Sequence, residues 1–294
     1  MRKAFEKKGP YGIIHIPNRK RMSILQITDI HGDRCEEDND RTRADIQAMH
    51  DRLRPDLLVI TGDTWCSDDR PETAPMWRQR FTRFFDSLET PWTLTFGNHD
   101  YIGDMPALLS RLNESPYAVI PTGNGRGDFR IEIHENGVPV WDIFLVHSGE
   151  RWAMPKDLIW SMDEIARLQE QRGRTIPAIF FFHIPLGNYQ KAFDEGRMQG
   201  LMLEEAAGWG DDENVGASLI QATGAVRACF CGHLHRNDAW FEEKGVLFTF
   251  GRSTGHGGYG HDTTPKGGKY IEIDFESGGI DFKTVFADGS EWRE

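Results

Sequence analysis

Short runs of Ile, Val, Leu and Phe that end in polar clusters recur along the chain, with helix-period segments between the early ones. This alternation predicts βαβ construction at the start. The clearest runs are Ile24–Thr28, Leu57–Thr61, Trp92–Phe96, Ala178–Phe182 and Val226–Cys231. Between the first two, Ile46, Met49 and Leu53 share one helical face and Pro55 supplies a stop, so a helix is predicted from about Asn39 to Arg54. A second is predicted from near Glu72 and Pro75 to Leu88, with Trp77, Phe81, Phe84, Phe85 and Leu88 as a core-facing stripe. From Phe129 the period shortens to two, and RIEIHENGVPVWDIFLVH reads as a hairpin about the Asn136-Gly137 turn. Val246–Phe250, Lys269–Phe275 and Ile280–Val285, separated by Gly-rich turns, predict that the second half contributes a more antiparallel sheet. Two sheets packed face to face with helices outside account for both halves.

No repeat, low-complexity linker or Pro/Ser-rich hinge divides the chain, so residues 23–294 are expected to form one domain. Residues 1–22 read as a basic, solvated arm, because they contain Pro10 and Pro17 and lack an apolar face. Two long polar or Gly-rich segments, Asn188–Gly216 and Gly251–Gly268, stand out as candidate functional loops.

Composition narrows the function classes. Only 38% of the 294 residues are hydrophobic and no apolar run approaches the roughly 18 residues of a spanning helix, so no membrane span is expected. The first segment has no apolar centre of the secretory type, and Cys35, Cys66, Cys229 and Cys231 are too few for a disulfide framework. Both features point to the cytoplasm and reduced thiols. With 34 Lys+Arg against 46 Asp+Glu, the net charge of −12 argues against sequence-independent nucleic-acid binding. It leaves a small phosphorylated substrate open, because divalent cations in a site reverse the local field.

The polar residues that end the five strands are all oxygen or imidazole ligand types: Asp29-Ile30-His31, Gly62-Asp63, Gly97-Asn98-His99-Asp100, His183 and Gly232-His233-Leu234-His235. Groups just past the carboxyl ends of strands in an open α/β sheet converge on one crevice. In Asp29/His31 and His233/His235 the offset of two places both side chains on one face of an extended segment, as chelation requires. Carboxylate, amide and imidazole donors suit Mn, Fe or Zn above all, with Co and Ni in the same class, rather than thiolate-preferring metals.

This ordered set, from about Ile24 to His235, resembles the calcineurin-like metallophosphoesterases. The resemblance implies a four-layer αββα sandwich of the α/β class, two mixed β-sheets face to face with helices outside, and a dinuclear metal centre at the strand ends. It implies that Asp29, His31 and His235 hold one divalent transition-metal ion and Asn98, His183 and His233 the other, with Asp63 bridging them. His99 would face the substrate and stabilise or protonate the departing oxygen, oriented by Asp100. The implied activity is hydrolysis of a phosphomonoester by a hydroxide bridging the two metals, the alternative being a phosphodiesterase for a cyclic nucleotide, nucleotide derivative or phospholipid head group.

Within the family, FFHIPL at 181–186, GHLHRNDAW at 232–240 and GRSTGHGGYG at 251–260 look like a cytosolic branch related to purple acid phosphatases. Two departures separate the chain from purple acid phosphatases themselves. His31 stands where they carry Gly, and Cys66 stands where they carry the Tyr that colours a ferric centre. Among the remaining candidates, His147, His256 and His261 are placed near the pocket, and Arg126, Arg151 and Arg252 are possible phosphate partners. His50 and His134 are expected to have surface or interface roles, and Cys66, Cys229 and Cys231 to be packed thiols.

Overall fold

Burial of alternate residues on two sets of strands builds two sheets with a shared interior. The computed structural model describes residues 4–32, 35–65, 71–148, 154–204, 215–260 and 263–292, with side chains in the fourth stretch described from residue 158. In chain order the elements are β1 (Phe5–Lys7), β2 (Tyr11–Ile16), β3 (Arg21–Ile27), α1 (Glu36–Leu53), β4 (Leu57–Thr61), α2 (Ala74–Ser87), β5 (Trp92–Thr95), α3 (Met105–Asn113), β6 (Phe129–Glu135), β7 (Val138–Leu145) and α4 (Met154–Arg172). They continue as β8 (Ala178–Phe181), α5 (Gly187–Asp194), β9 (Gln199–Leu201), α6 (Val215–Ala222), β10 (Val226–Cys231), β11 (Asp238–Glu243), β12 (Val246–Phe250), β13 (Gly267–Asp274), β14 (Ile280–Phe286) and β15 (Glu291–Trp292).

The large sheet runs β1-β2-β6-β7-β8-β10-β12-β11-β9 and the small one β15-β14-β13-β3-β4-β5. Both are mixed. On β8, β10 and β12 the side chains divide by parity. Ile179, Phe181, Ala228, Phe230 and Leu247 face the cluster shared with Ile24, Ile27, Ile271 and Ile273 of the small sheet. Phe180, Cys229, Cys231, Phe248 and Phe250 face a second cluster with Leu158 and Ile165 of α4, Tyr189 of α5 and Ile220 of α6. Helices α1 and α2 place Ile46, Met49, Phe81 and Phe85 in the first cluster, on the small-sheet side. The layers are therefore helix, sheet, sheet, helix.

Two expectations change. The solvated arm expected over residues 1–22 is, from Phe5 onward, part of a sheet: β1 pairs antiparallel with β2, and β2 pairs in parallel with β6 from Tyr11↔Arg130 to Ile16↔Glu135. Ile13, Ile14 and Ile16 bury against the sheet, and Pro10 and Pro17 fall just outside β2, where no ladder N–H is needed. The antiparallel pairing expected of the second half holds for only part of it. Its strands β7, β8, β10 and β12 are parallel neighbours, with α4 and α6 in the connections that parallel order requires, whereas antiparallel β13, β14 and β15 extend the small sheet beside β3. The expected loop Asn188–Gly216 contains α5 and β9, and Tyr189 is fully buried.

Candidate metal centre

Strands β3, β4 and β5 are parallel neighbours in one sheet, and β8 and β10 in the other, so five carboxyl ends meet at one edge of the sandwich. Hydrogen bonds join them. Asp29 N–H donates to Gly62 O (3.1 Å), Gly232 N–H to His183 O (2.9 Å), and His233 N–H to both Asp29 carboxylate oxygens (3.1 Å each).

Four of the ligand-type residues occupy the left-handed backbone region: Asp29 (φ 53°), His31 (48°), Asp63 (50°) and His233 (79°). Such conformations cost about 1–3 kcal/mol each and persist where neighbouring contacts over-determine them. Here His31 N–H and Gly32 N–H donate to Asp63 O (2.8 Å) and Thr64 O (3.0 Å), locking the turns after β3 and β4 together. Glycine is required at 97, where a Cβ would lie 2.1 Å from Asp63 Oδ1.

Asp29, His31 and His235 form one trio of donors and Asp63, His183 and His233 another, the ligand atoms of each lying within 4.8 Å of one another. In the first, His31 Nε2 and His235 Nε2 are 3.0 Å apart and Asp29 Oδ1 is 3.3 Å from His235 Nε2. In the second, His183 Nε2 is 3.2 Å from Asp63 Oδ2 and 3.2 Å from Asn98 Oδ1. Asp63 Oδ2 also lies 3.6 Å from His31 Nε2, so a single carboxylate oxygen reaches both trios. Two backbone carbonyls set the rings: His183 Nδ1–H donates to Thr61 O (2.8 Å) and His235 Nδ1–H to Tyr259 O (3.0 Å). Each bond turns the Nε2 lone pair toward the crevice.

Burial alone would push the Asp29 and Asp63 carboxyls up. The imidazoles beside them, His235 for Asp29 and His183 for Asp63, hold both well below the usual carboxylate range. Burial lowers His31 and His233 to about 4 each, whereas at His183 it is outweighed by Asp63, which draws the ring up to about 9. Two ring nitrogens 3.0 Å apart require a proton or a cation between them. Two borderline cations fit this donor set of imidazole nitrogens, carboxylates and one amide oxygen.

His99 is half-buried, its N–H donating to Asp63 Oδ1 (2.9 Å) and its ring centroid 5.4 Å from that of His31. Asp100, expected to orient His99, accepts from Thr64 N–H (2.8 Å), Trp65 N–H (3.0 Å) and Gly97 N–H (2.8 Å). It thereby ties the turn that carries His99 to the turn after Asp63. Burial, then the charge of Asp63, pushes the Asp100 carboxyl up to about 7.

Of the other candidates, His147 is edge-on to Phe96 at 5.7 Å, and burial lowers it to about 4, with the charge of His183 adding to the effect. His256 turns toward α1, its Nε2 2.7 Å from Asp45 Oδ2. Arg252 is buried on Asp238 and the Pro265 carbonyl, which removes it as a phosphate partner. Arg126 sits on an exposed turn, its N–H capped by Asn124 Oδ1. His15 pairs with Glu6 and His134 with Glu132, while His50 is buried with its Nε2 2.8 Å from Thr90 Oγ1. Cys229 and Cys231 are buried and unpaired in the outer cluster. Cys66, Arg151 and His261 lie outside the described residues.

Tyr259 escaped sequence reasoning. Its ring stacks on His235 (3.9 Å, 12°), its hydroxyl donates to Glu204 Oε2 (2.8 Å), and its carbonyl also accepts from Lys266 Nζ (3.1 Å). A lone tyrosine in a Gly-rich loop carries no spacing signal, since the contact joins segments 24 residues apart.

The family model of the calcineurin-like phosphoesterases matches residues 22–237. Among curated proteins, the "probable inactive purple acid phosphatase 28" of Arabidopsis thaliana is 25% identical over 318 residues, spanning 87% of this chain and 76% of that one. Among solved structures, a dimetal phosphatase from Danio rerio superposes with a TM-score of 0.62 at 12% identity, covering 92% of this chain and 97% of that one. The purple acid phosphatase PPD1 from yellow lupin (Lupinus luteus) seeds gives 0.57 at 14%, covering 96% and 55%. With the match running through all five strand ends that build the two trios, the chain belongs to the calcineurin-like phosphoesterase family.

Proposed function

We propose that the protein hydrolyses a phosphomonoester at a dinuclear metal centre. The reading rests on one observation above the rest: Asp63 Oδ2 stands between the trios, 3.6 Å from His31 Nε2 and 3.2 Å from His183 Nε2. Asp29, His31 and His235 would hold one cation and Asn98, His183 and His233 the other, with Asp63 shared. When bound, such a pair clamps the phosphoryl oxygens and supplies hydroxide as nucleophile near neutral pH. The chain's own part is geometric. Thr61 and Tyr259 carbonyls fix the His183 and His235 rings, and Asp100 holds the turn that presents His99. His99, half-open to the crevice on the His31 side, donates a proton to the departing alkoxide.

The Arabidopsis relative is named as inactive; in this chain every ligand position of the pattern is filled. The test is hydrolysis of p-nitrophenyl phosphate beside bis(p-nitrophenyl) phosphate by Mn-loaded protein, with an EDTA-stripped control and metal content by mass spectrometry. About two metal ions per chain and a monoester preference that vanishes on stripping are expected. A diester preference moves the reading to a phosphodiesterase. Metal content near zero after growth with Mn, with no turnover, overturns it in favour of a binding scaffold.

A further inference from the structure

Helices α2 and α3 form the walls of a cleft of about 600 Å³ whose lining includes none of the proposed metal ligands. Residues 75, 78, 79, 82, 83 and 86 supply one face of α2, and residues 111, 112, 114 and 115 the other side. Three arginines line it, Arg78, Arg83 and Arg111, in a chain whose net charge is −12. Two acids share the lining. Asp86 is committed, accepting from Trp92 Nε1 (2.9 Å), Tyr117 N–H (3.4 Å) and Ser115 Oγ, which leaves Glu114 as the other carboxylate.

Arg78 is the anomaly. It is only 8% exposed, and among the described residues its buried Nε has no acceptor and its guanidinium forms no ion pair. Its cation lies over the Trp65 ring at 5.3 Å, and Arg111 repels it. The carboxylate whose charge reaches it, Asp100, already accepts three backbone N–H groups. An Nε–H buried without an acceptor is costly, and Arg78 lines the cleft, where its guanidinium fork matches two oxygens of a tetrahedral oxyanion.

We propose that the α2–α3 cleft is a phosphate-binding site, in which Arg78 at the base and Arg83 and Arg111 at the rim take a phosphoryl dianion. That dianion is either inorganic phosphate or the phosphoryl group of a small organic phosphate. The cleft is several times larger than the oxyanion alone, leaving room for an organic arm along Met76 and Leu112.

Calorimetric titration of the full chain, metal-loaded and EDTA-stripped, with inorganic phosphate and separately with glycerol 3-phosphate tests this independently of turnover, because stripping silences the metal centre. Saturable binding is expected in the stripped chain, weakened about tenfold or more by Arg78→Met and by Arg111→Gln. Arg111 is exposed, so its variant keeps the test decisive should Arg78→Met perturb folding. Tighter binding of glycerol 3-phosphate assigns an organic phosphate, and equal binding assigns the phosphoryl group alone. Absence of saturable binding by either probe in the stripped chain, affinity unchanged in both variants, or equal competition by chloride at matched ionic strength would overturn the proposal.

Discussion

Two buried polar clusters in this molecule are built on opposite plans. Under α4, Arg130, Arg167 and Arg172 meet Glu132, Asp142 and Glu164: Arg130 lies 2.5 Å from Glu132 and 2.7 Å from Glu164, and Arg172 lies 2.5 Å from Asp142 and 2.9 Å from Glu132. Three arginines, with His134 on Glu132, answer three carboxylates, and the network is complete without any addition. At the strand ends, two carboxylates, an amide and four imidazoles converge with no Lys or Arg among them, two ring nitrogens stand 3.0 Å apart, and four residues hold left-handed backbone. The first cluster stabilises a sheet by matching its own charges. The second is organised around charge that must arrive from outside, and backbone strain is the local cost of aiming its donors.

The largest effect expected from breaking this contrast is at Asp63. Asp63→Asn removes the carboxylate shared by both trios and should lower metal-dependent hydrolysis about a thousandfold, the several kcal/mol a metal clamp supplies at about 1.4 kcal/mol per decade. Steady-state kcat/KM with metal content measured in parallel checks it; turnover within tenfold of wild type would remove Asp63 from the centre. Arg130→Met attacks the other cluster. Glu132 and Glu164 then lose a guanidinium that is 3% exposed, and unfolding free energy should drop by about 3–5 kcal/mol while kcat per folded molecule holds. Denaturation with and without EDTA sharpens the comparison, because only the strand-end cluster should give a melting temperature that depends on metal.

How much of this was legible in the sequence follows from which forces are local. Strands at Leu57–Thr61, Val226–Cys231 and Val246–Phe250 have the bounds their apolar runs define, and α1 and α2 sit within a few residues of the periodic stripes. The ligand-type residues were readable because each follows such a run. What was hidden is non-local. β2 looked like a basic arm because its partner β6 lies over a hundred residues away in the chain. The arginine–carboxylate network is spread over β6, β7 and α4, so no window of sequence contains it. Tyr259 and the carbonyl of Thr61 act on His235 and His183 through the fold alone.

Smaller effects are expected one layer out from the shared carboxylate. His99→Ala should cut turnover of an ester with a poor leaving group about a hundredfold, with much less loss for p-nitrophenyl phosphate and no loss of metal. Equal losses on both esters would mean that His99 does not act as the acid. Tyr259→Ala removes the ring stacked on His235 and its hydroxyl bond to Glu204. Metal affinity should fall about tenfold, read by chelator competition, while the affinity of the α2–α3 cleft for phosphate stays as it was.

The smallest expected effect is the acid response of the arginine network, and its sign separates two neighbouring carboxyls. Burial pushes Glu132 up, but His134, Arg130 and Arg172 outweigh it and hold the carboxyl at about 2 against its ordinary 4.5. A folded-state value below the unfolded one contributes stability that is fully present above about 4.5 and is lost as pH falls toward 2. Asp142 runs the other way: burial raises it despite Arg172, so its ionisation opposes folding at higher pH. Between pH 5 and 3 the wild-type melting temperature should therefore fall more steeply than that of Glu132→Gln, by on the order of a few degrees. Comparing the two chains cancels the titration of Asp29 and Asp63, whose carboxyls are also held low. A parallel decline in both would mean that the ion pairs of Glu132 contribute no more than a neutral amide does in the same place.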